Sequence, residues 1–251
     1  MNIAFFTNVG HIRKNNEDAI LIQDNLIFEQ SFDKVKFLQI DDIGYFITAV
    51  ADGMGGHEKG EIAARIILEV LRKVKPKTEE ELKVALRKGR EFLEKYKDKN
   101  PEAYGLGTAL AGLIKVGENG IVFNVGDCRV YKKIGTFLRR LSKDHTLVEE
   151  LIDKGYLDIY EAKNYPNRNI LTSALVGDDY QTELEIFTKS IKIKAEDIFL
   201  ICSDGFWEVF EEEELENIFS DDDIKIISDK IIKSLKNKIL KDNISFVIVK
   251  F

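Results

Sequence analysis

The stretch Gly107–Leu141, GTALAGLIKVGENGIVFNVGDCRVYKKIGTFLRRL, holds four strand candidates in succession. Gly107–Lys115, Gly120–Val125, Arg129–Lys132 and Phe137–Leu141 are short and rich in β-branched and aromatic residues. Connections of only a few residues part them. They therefore read as hairpin-like pairs rather than strand–helix–strand units, which points to mainly antiparallel sheets.

Working outward, the same signals give strands at Asn2–Asn8, Ala19–Gln23, Val35–Ile40, Tyr45–Ala51, Glu183–Phe187, Asp197–Cys202 and Ser245–Lys250. Two long helices fall between groups of strands. The first runs from Gly60 to Val74, with Ala63, Ile66, Ile67, Val70, Leu71 and Val74 as its apolar stripe. The second starts after Thr78, an N-cap residue with Glu81 three positions on, and its stripe is Leu82, Ala85, Leu86, Phe92, Leu93 and Tyr96. Shorter helices follow Thr146 (with Glu149 as its capping-box partner), Asp158, Glu211 and Ser220. The acidic runs Glu79–Glu81, Glu211–Glu214 and Asp221–Asp223 fall in predicted first turns, facing the positive end of the helix dipole. The segment Asp24–Asp42 is ambiguous, a hairpin excursion being one reading. With no Pro- or Ser-rich linker, residues 1–251 read as one α+β domain.

Of the 251 residues, 44% are hydrophobic, enough for a sizeable core. The net charge of −7 argues against non-specific nucleic-acid binding, because an acidic surface repels phosphate backbones. Two cysteines, Cys128 and Cys202, each lie in an apolar run and read as buried thiols of a cytoplasmic protein. No apolar run approaches the roughly 20 residues of a membrane-spanning helix.

The unusual feature is where the acids fall. Asp52 follows Phe46–Ala51 and precedes Gly53-Met54-Gly55-Gly56, and Asp204 follows Ile198–Ser203 and precedes Gly205. Asp127 follows Ile121–Gly126, and Asp242 precedes Asn243 and the run Ile244–Val249. Any one of these is explained by turn chemistry, since Asp-Gly and Asp-Asn are ordinary turn pairs. Four carboxylates at the tips of apolar strands, gathered in one cleft, would repel each other, and a hard cation with oxygen ligands removes that conflict. The loop Gly10–Asp18 adds Arg13, whose guanidinium can grip a phosphate through two hydrogen bonds, and the acids Glu17 and Asp18. A polar loop between two strands is the alternative, and spacing alone does not decide.

These residues stand in motifs that resemble the metal-dependent protein serine/threonine phosphatases of the PPM, or type 2C, family, most closely its bacterial subtype. The motifs are GHIRKNNEDA (10–19), VADGMGGHEKGE (50–61), GTAL (107–110), NVGDCRVY (124–131), LSKDHTLVEELIDKG (141–155), NRNILTSAL (167–175), LICSDGFWE (200–208) and DNISFVIV (242–249). The resemblance implies a four-layer αββα sandwich, two mainly antiparallel sheets flanked by helix pairs. It implies two Mn²⁺ or Mg²⁺ ions, bridged by Asp52, with the Gly53 carbonyl on the first and Asp204 and Asp242 on the second. Glu17 and Asp18 would hold metal-bound waters, Arg13 the substrate phosphate, and Asp127 a third, weaker ion. Residues 146–168 would form a flap beside the site. The implied substrates are phosphoserine and phosphothreonine in proteins, opposite a Ser/Thr kinase.

Several positions depart from the family pattern. Met54 stands where many eukaryotic members carry a histidine, and the acid for the leaving group is unassigned. His57 has no agreed catalytic role, and His11 and His145 read as local structural residues. Ala109 and Cys128 replace the usual hydroxyl residues. Asp24–Asp42 is longer than in compact members, and Leu175-Val176-Gly177 carries one residue more than usual. Trp207 reads as an anchor under the site. A non-catalytic module on the same fold and a small-molecule phosphoester hydrolase are the alternative functions.

Overall fold

The computed structural model describes residues 1–41, 44–55, 59–162, 164–178 and 183–251. Its strands are β1 (Asn2–Asn8), β2 (Ala19–Ile22), β3 (Asn25–Ile27), β4 (Lys36–Gln39), β5 (Tyr45–Met54), β6 (Gly107–Val116), β7 (Asn119–Val125), β8 (Arg129–Ile134), β9 (Phe137–Arg140), β10 (Leu175–Val176), β11 (Phe187–Lys192), β12 (Ile198–Cys202) and β13 (Ile244–Lys250). Its helices are α1 (Gly60–Val74), α2 (Glu79–Lys99), α3 (Leu147–Asp153), α4 (Ile159–Ala162), α5 (Asp204–Trp207), α6 (Glu212–Ile218) and α7 (Ile224–Leu235).

Two sheets form, in the orders β4-β1-β13-β12-β8-β9 and β11-β7-β6-β5-β2-β3, with β10 paired to β6. Every ladder is antiparallel. The hairpin reading of Gly107–Leu141 holds, with one addition: β6 and β7 lie in one sheet and β8 and β9 in the other. The turn at Gly126, whose φ is +87°, carries the chain across the sandwich.

Three apolar layers hold the stack together. Ile3, Ile20, Val50, Leu113, Val122, Phe199 and Val247 fill the space between the sheets. α1 and α2 cover the outer face of the β5–β6 sheet through Ala63, Ile67, Leu71, Leu82 and Leu93. On the far side, α6 and α7 cover the other sheet through Leu215, Ile218, Ile227 and Ile231 against Phe246 and Leu200. The four-layer αββα order follows, because strands alternating between two buried faces must be covered twice. No helix among the described residues is long and apolar enough to cross a membrane.

Some boundaries differ from the sequence reading. Glu183–Phe187 is not the strand; β11 begins at Phe187, because its partner β7 ends one residue past Asn124, opposite Phe187. Asp24–Asp42 is no single hairpin: β3 pairs with β2 in one sheet, while β4 pairs with β1 in the other. The last helix starts at Ile224, capped by Asp223, so Asp221–Asp223 precede the first turn. Val74 and Phe92, placed on apolar stripes, are exposed, and Leu68 and Gly89 take buried positions instead. Thr78 caps α2 as expected, but the Glu81 carboxylate reaches the N–H of Lys77.

A carboxylate cleft at one end of the sandwich

β5 runs three residues beyond the expected Ala51, carrying Asp52, Gly53 and Met54 in register with Ala109, Thr108 and Gly107 of β6. The Thr108 hydroxyl donates to the Asp52 carbonyl at 2.8 Å, which pins the strand tip. Gly53 must be glycine: a Cβ there would overlap the Gly60 carbonyl and stand 2.6 Å from the Glu17 carbonyl. The loop before β2, the tip of β5 and the first residue of α1 thus meet backbone to backbone.

A second junction brings Asp204 to Asp242. The Gly205 backbone lies directly on the Asn243 carbonyl, so the start of α5 rests on the start of β13. Asn243 then fixes the Arg13 loop. Its Oδ1 accepts from the Glu17 N–H at 2.8 Å, and its Nδ2 donates to the carbonyls of Val9 and Asn15 at 3.0 and 2.9 Å. His11 is structural as expected: its Nδ1 accepts from the Leu240 N–H at 3.1 Å.

The acids meet in the cleft these junctions make. The buried carboxyl groups of Asp52 and Asp204 act directly on each other. Two buried carboxylates so close repel unless a proton or a cation offsets their charge. Burial first, then the charges of Asp204 and Asp18, push Asp52 well above the carboxyl range. Asp18 is buried and pushed up to about 7, by burial first, with the neighbouring serine hydroxyls working the other way. The Ser203 hydroxyl donates to Asp18 Oδ2 at 2.9 Å. Glu17 is raised by burial and by Glu61, against the pull of the Gly60 backbone.

Arg13 sits half-exposed at the rim, its Nη2 2.6 Å from Asp242 Oδ2. Asp127 is buried at the turn after β7 and raised by burial and by Asp204. Its carbonyl accepts from Trp207 Nε1 at 2.9 Å, and the Arg129 guanidinium stacks 3.4 Å from the centre of the Trp207 ring. Asp144 pairs with Arg129 at 2.6 Å from below. Trp207 is thus the expected anchor. His145 is buried, and its Nδ1 accepts from the Gly126 N–H at 3.0 Å, which ties the Asp127 turn to the segment that follows.

All seven residues singled out from the sequence, Arg13, Glu17, Asp18, Asp52, Asp127, Asp204 and Asp242, act on one another electrostatically here, and Gly53 joins them through its backbone contacts. Among the described residues no three acids or histidines already stand in finished ligand geometry. Asp242 is drawn to Arg13. The residues nevertheless fit a hard divalent cation. Asp18 Oδ1 and Asp204 Oδ1 are buried and receive no hydrogen bond, as oxygen ligands awaiting a positive charge would. His57 lies outside the described residues. Sequence reasoning missed Asn243 and Ser203, which look like ordinary strand-edge residues until the loop they hold is in place.

Comparison with known proteins agrees with this fold. The protein phosphatase 2C family profile matches residues 29–244. The chain is 32% identical over 227 residues to the serine/threonine phosphatase stp of Listeria monocytogenes, covering 87% of this chain and 82% of that one. The fold matches Stp1 of Staphylococcus aureus with a TM-score of 0.79 at 25% identity, over 99% of this chain and 94% of that one. It also matches the catalytic domain of the phosphatase PstP in complex with two manganese ions, with a TM-score of 0.76 at 24% identity, over 100% and 99% of the two chains. The αββα sandwich, the cleft at its end and the match across most of the chain together make this protein a bacterial-type member of the PPM, or protein phosphatase 2C, family of serine/threonine phosphatases.

Proposed function

We propose that this chain hydrolyses phosphoserine and phosphothreonine in proteins, with two Mn²⁺ or Mg²⁺ ions held in the carboxylate cleft. The observation that carries the reading is the Asp52–Asp204 carboxyl pair, flanked by the donorless oxygens of Asp18 and Asp204 and by Arg13. Asp52 would bridge the ions, with the Gly53 carbonyl on one and Asp204 and Asp242 on the other. Glu17 and Asp18 would orient solvent around them, and Asp127 would help hold a third. Divalent cations at such a site activate a water for in-line attack on phosphorus and neutralise the charge of the reacting group. The manganese ions of the PstP neighbour support this reading.

The chain's own residues set up the rest. Arg13 reaches the rim from a loop that Asn243 and His11 anchor, so its guanidinium is positioned before substrate arrives. Exchanging Asp242 for a phosphate lets it donate two N–H groups in parallel. No serine or cysteine nucleophile is required, and the free thiols of Cys128 and Cys202 are buried. Those thiols also support a reducing, cytoplasmic setting. One domain spanning residues 1–251, with residues 146–168 as a flap and a Ser/Thr kinase supplying the substrates, completes the proposal. Nothing in the cleft favours a non-catalytic module, because every expected ligand is present.

Phosphate release from phosphoserine and phosphothreonine peptides, set beside a panel of small phosphoesters, tests the substrate class. The expected result is a higher kcat/KM on the peptides. Equal or higher values on the small esters would move the assignment to a metabolite phosphatase.

A further inference from the structure

The first turn of α1 carries a carboxylate that the reading above leaves unused. Glu61 follows Gly60, and its Oε2 is buried without any hydrogen-bond donor. A glutamate in a first helical turn ordinarily faces water or the free N–H groups of the helix end. Here the Glu17 carboxylate already stands at the helix end, its Cδ 2.9 Å from where a Cβ on Gly60 would lie. A carboxylate oxygen buried without a donor is costly and calls for a partner.

Among the described residues, four carboxylate oxygens are buried in this way, on Asp18, Glu61, Asp178 and Asp204. Asp178 has a counter-charge, with Arg90 Nη2 at 3.6 Å. Asp18 and Asp204 belong to the cleft. Glu61 adjoins it by its charge and through its neighbour in the chain. Its charge acts directly on Glu17. Its neighbour Gly60 packs so closely on the tip of β5 that a Cβ on Gly60 would stand 2.7 Å from the Gly53 carbonyl carbon and 2.9 Å from Glu17 Cδ.

We propose that Glu61 is a further carboxylate of the cation centre, which with Glu17 accepts hydrogen bonds from the solvent around the ions on the α1 side. The proposal rests on the metal-dependent reading above. Without a cation the two carboxylates repel each other across Gly60. With one, both gain donors and their charges add to its attraction. The helix N-terminus that carries Glu61 is fixed to the tip of β5 by the Gly53–Gly60 contact, which holds the Glu61 backbone beside the cleft.

Mn²⁺ titration by calorimetry, with thermal melts of the metal-free protein, tests this on the full chain, on Glu61→Gln and on Glu61→Asp. Glu61→Gln keeps the shape and removes the charge. Its metal-free Tm should equal or exceed that of the parent, while its Mn²⁺ affinity falls roughly tenfold. Glu61→Asp should recover part of that affinity. Parental affinity in Glu61→Gln overturns the proposal, as does weaker binding accompanied by a lower metal-free Tm, which marks a structural role. A parent chain that takes up no Mn²⁺ overturns the metal-dependent reading itself.

Discussion

The Gly205 backbone rests on the Asn243 carbonyl with no room for a methyl group between them. This contact sets the distance from Asp204, at the start of α5, to Asp242, just before β13. Gly205→Ala must part the two elements and is expected to cost about 3 kcal/mol, the upper end of the overpacking range. Urea unfolding of the metal-free protein measures it. A change within 0.5 kcal/mol or so, the usual range for surface substitutions, would show that the junction yields easily.

The acids of the cleft make metal binding depend on pH. Asp18, pushed up to about 7 by burial, holds its proton more tightly folded than unfolded. Its contribution to the metal-free fold is therefore complete below the ordinary carboxyl value of 3.8 and is lost as pH rises through about 7. A cation reverses this by taking the place of the proton. The Tm gained on adding Mn²⁺ should be larger at pH 8 than at pH 6. Melts with Mn²⁺ and with chelator at both values check this, and an equal gain at both would count against a cation seated among these carboxylates.

Arg13 and Asp242 hold each other at 2.6 Å, with about half of the Arg13 side chain exposed. If Arg13 serves the phosphate rather than the metal, Arg13→Ala separates the two functions. It should lower kcat/KM roughly tenfold or more, the worth of a hydrogen bond to a charged group. Mn²⁺ affinity should stay level or rise, because Asp242 is released. Loss of Mn²⁺ binding in this variant would place Arg13 in the metal site instead.

Much of this was legible in the sequence, for reasons the structure makes concrete. Hairpins such as β6–β7 are set by local alternation and a short turn, and both strands appear within a residue or so of their expected bounds. Asp52, Asp204 and Asp242 stood out because they end apolar runs. Their meeting place was not legible, because it depends on contacts between residues far apart in sequence. Asn243 binding the carbonyls of Val9 and Asn15, and Ser203 binding Asp18, span more than 180 positions each. β3 and β10 were hard to read for a different reason. β3 has three residues and β10 only two, too few for a periodic pattern to show. Glu61 lay in plain sight inside a quoted motif, but only its buried, donorless oxygen sets it apart from an ordinary first-turn glutamate.

The central claim is that phosphate hydrolysis here depends on cations held by Asp204 and its neighbours. Phosphate release from a phosphothreonine peptide tests it most directly, measured for the parent and for Asp204→Asn with Mn²⁺, then with excess chelator, then with Mn²⁺ restored. The parent should be active with Mn²⁺, silent with chelator and active again on restoration. Asp204→Asn, folded by its thermal melt, should be slower by about a hundredfold or more. Activity that survives chelation, or a folded Asp204→Asn at the parental rate, would contradict the account.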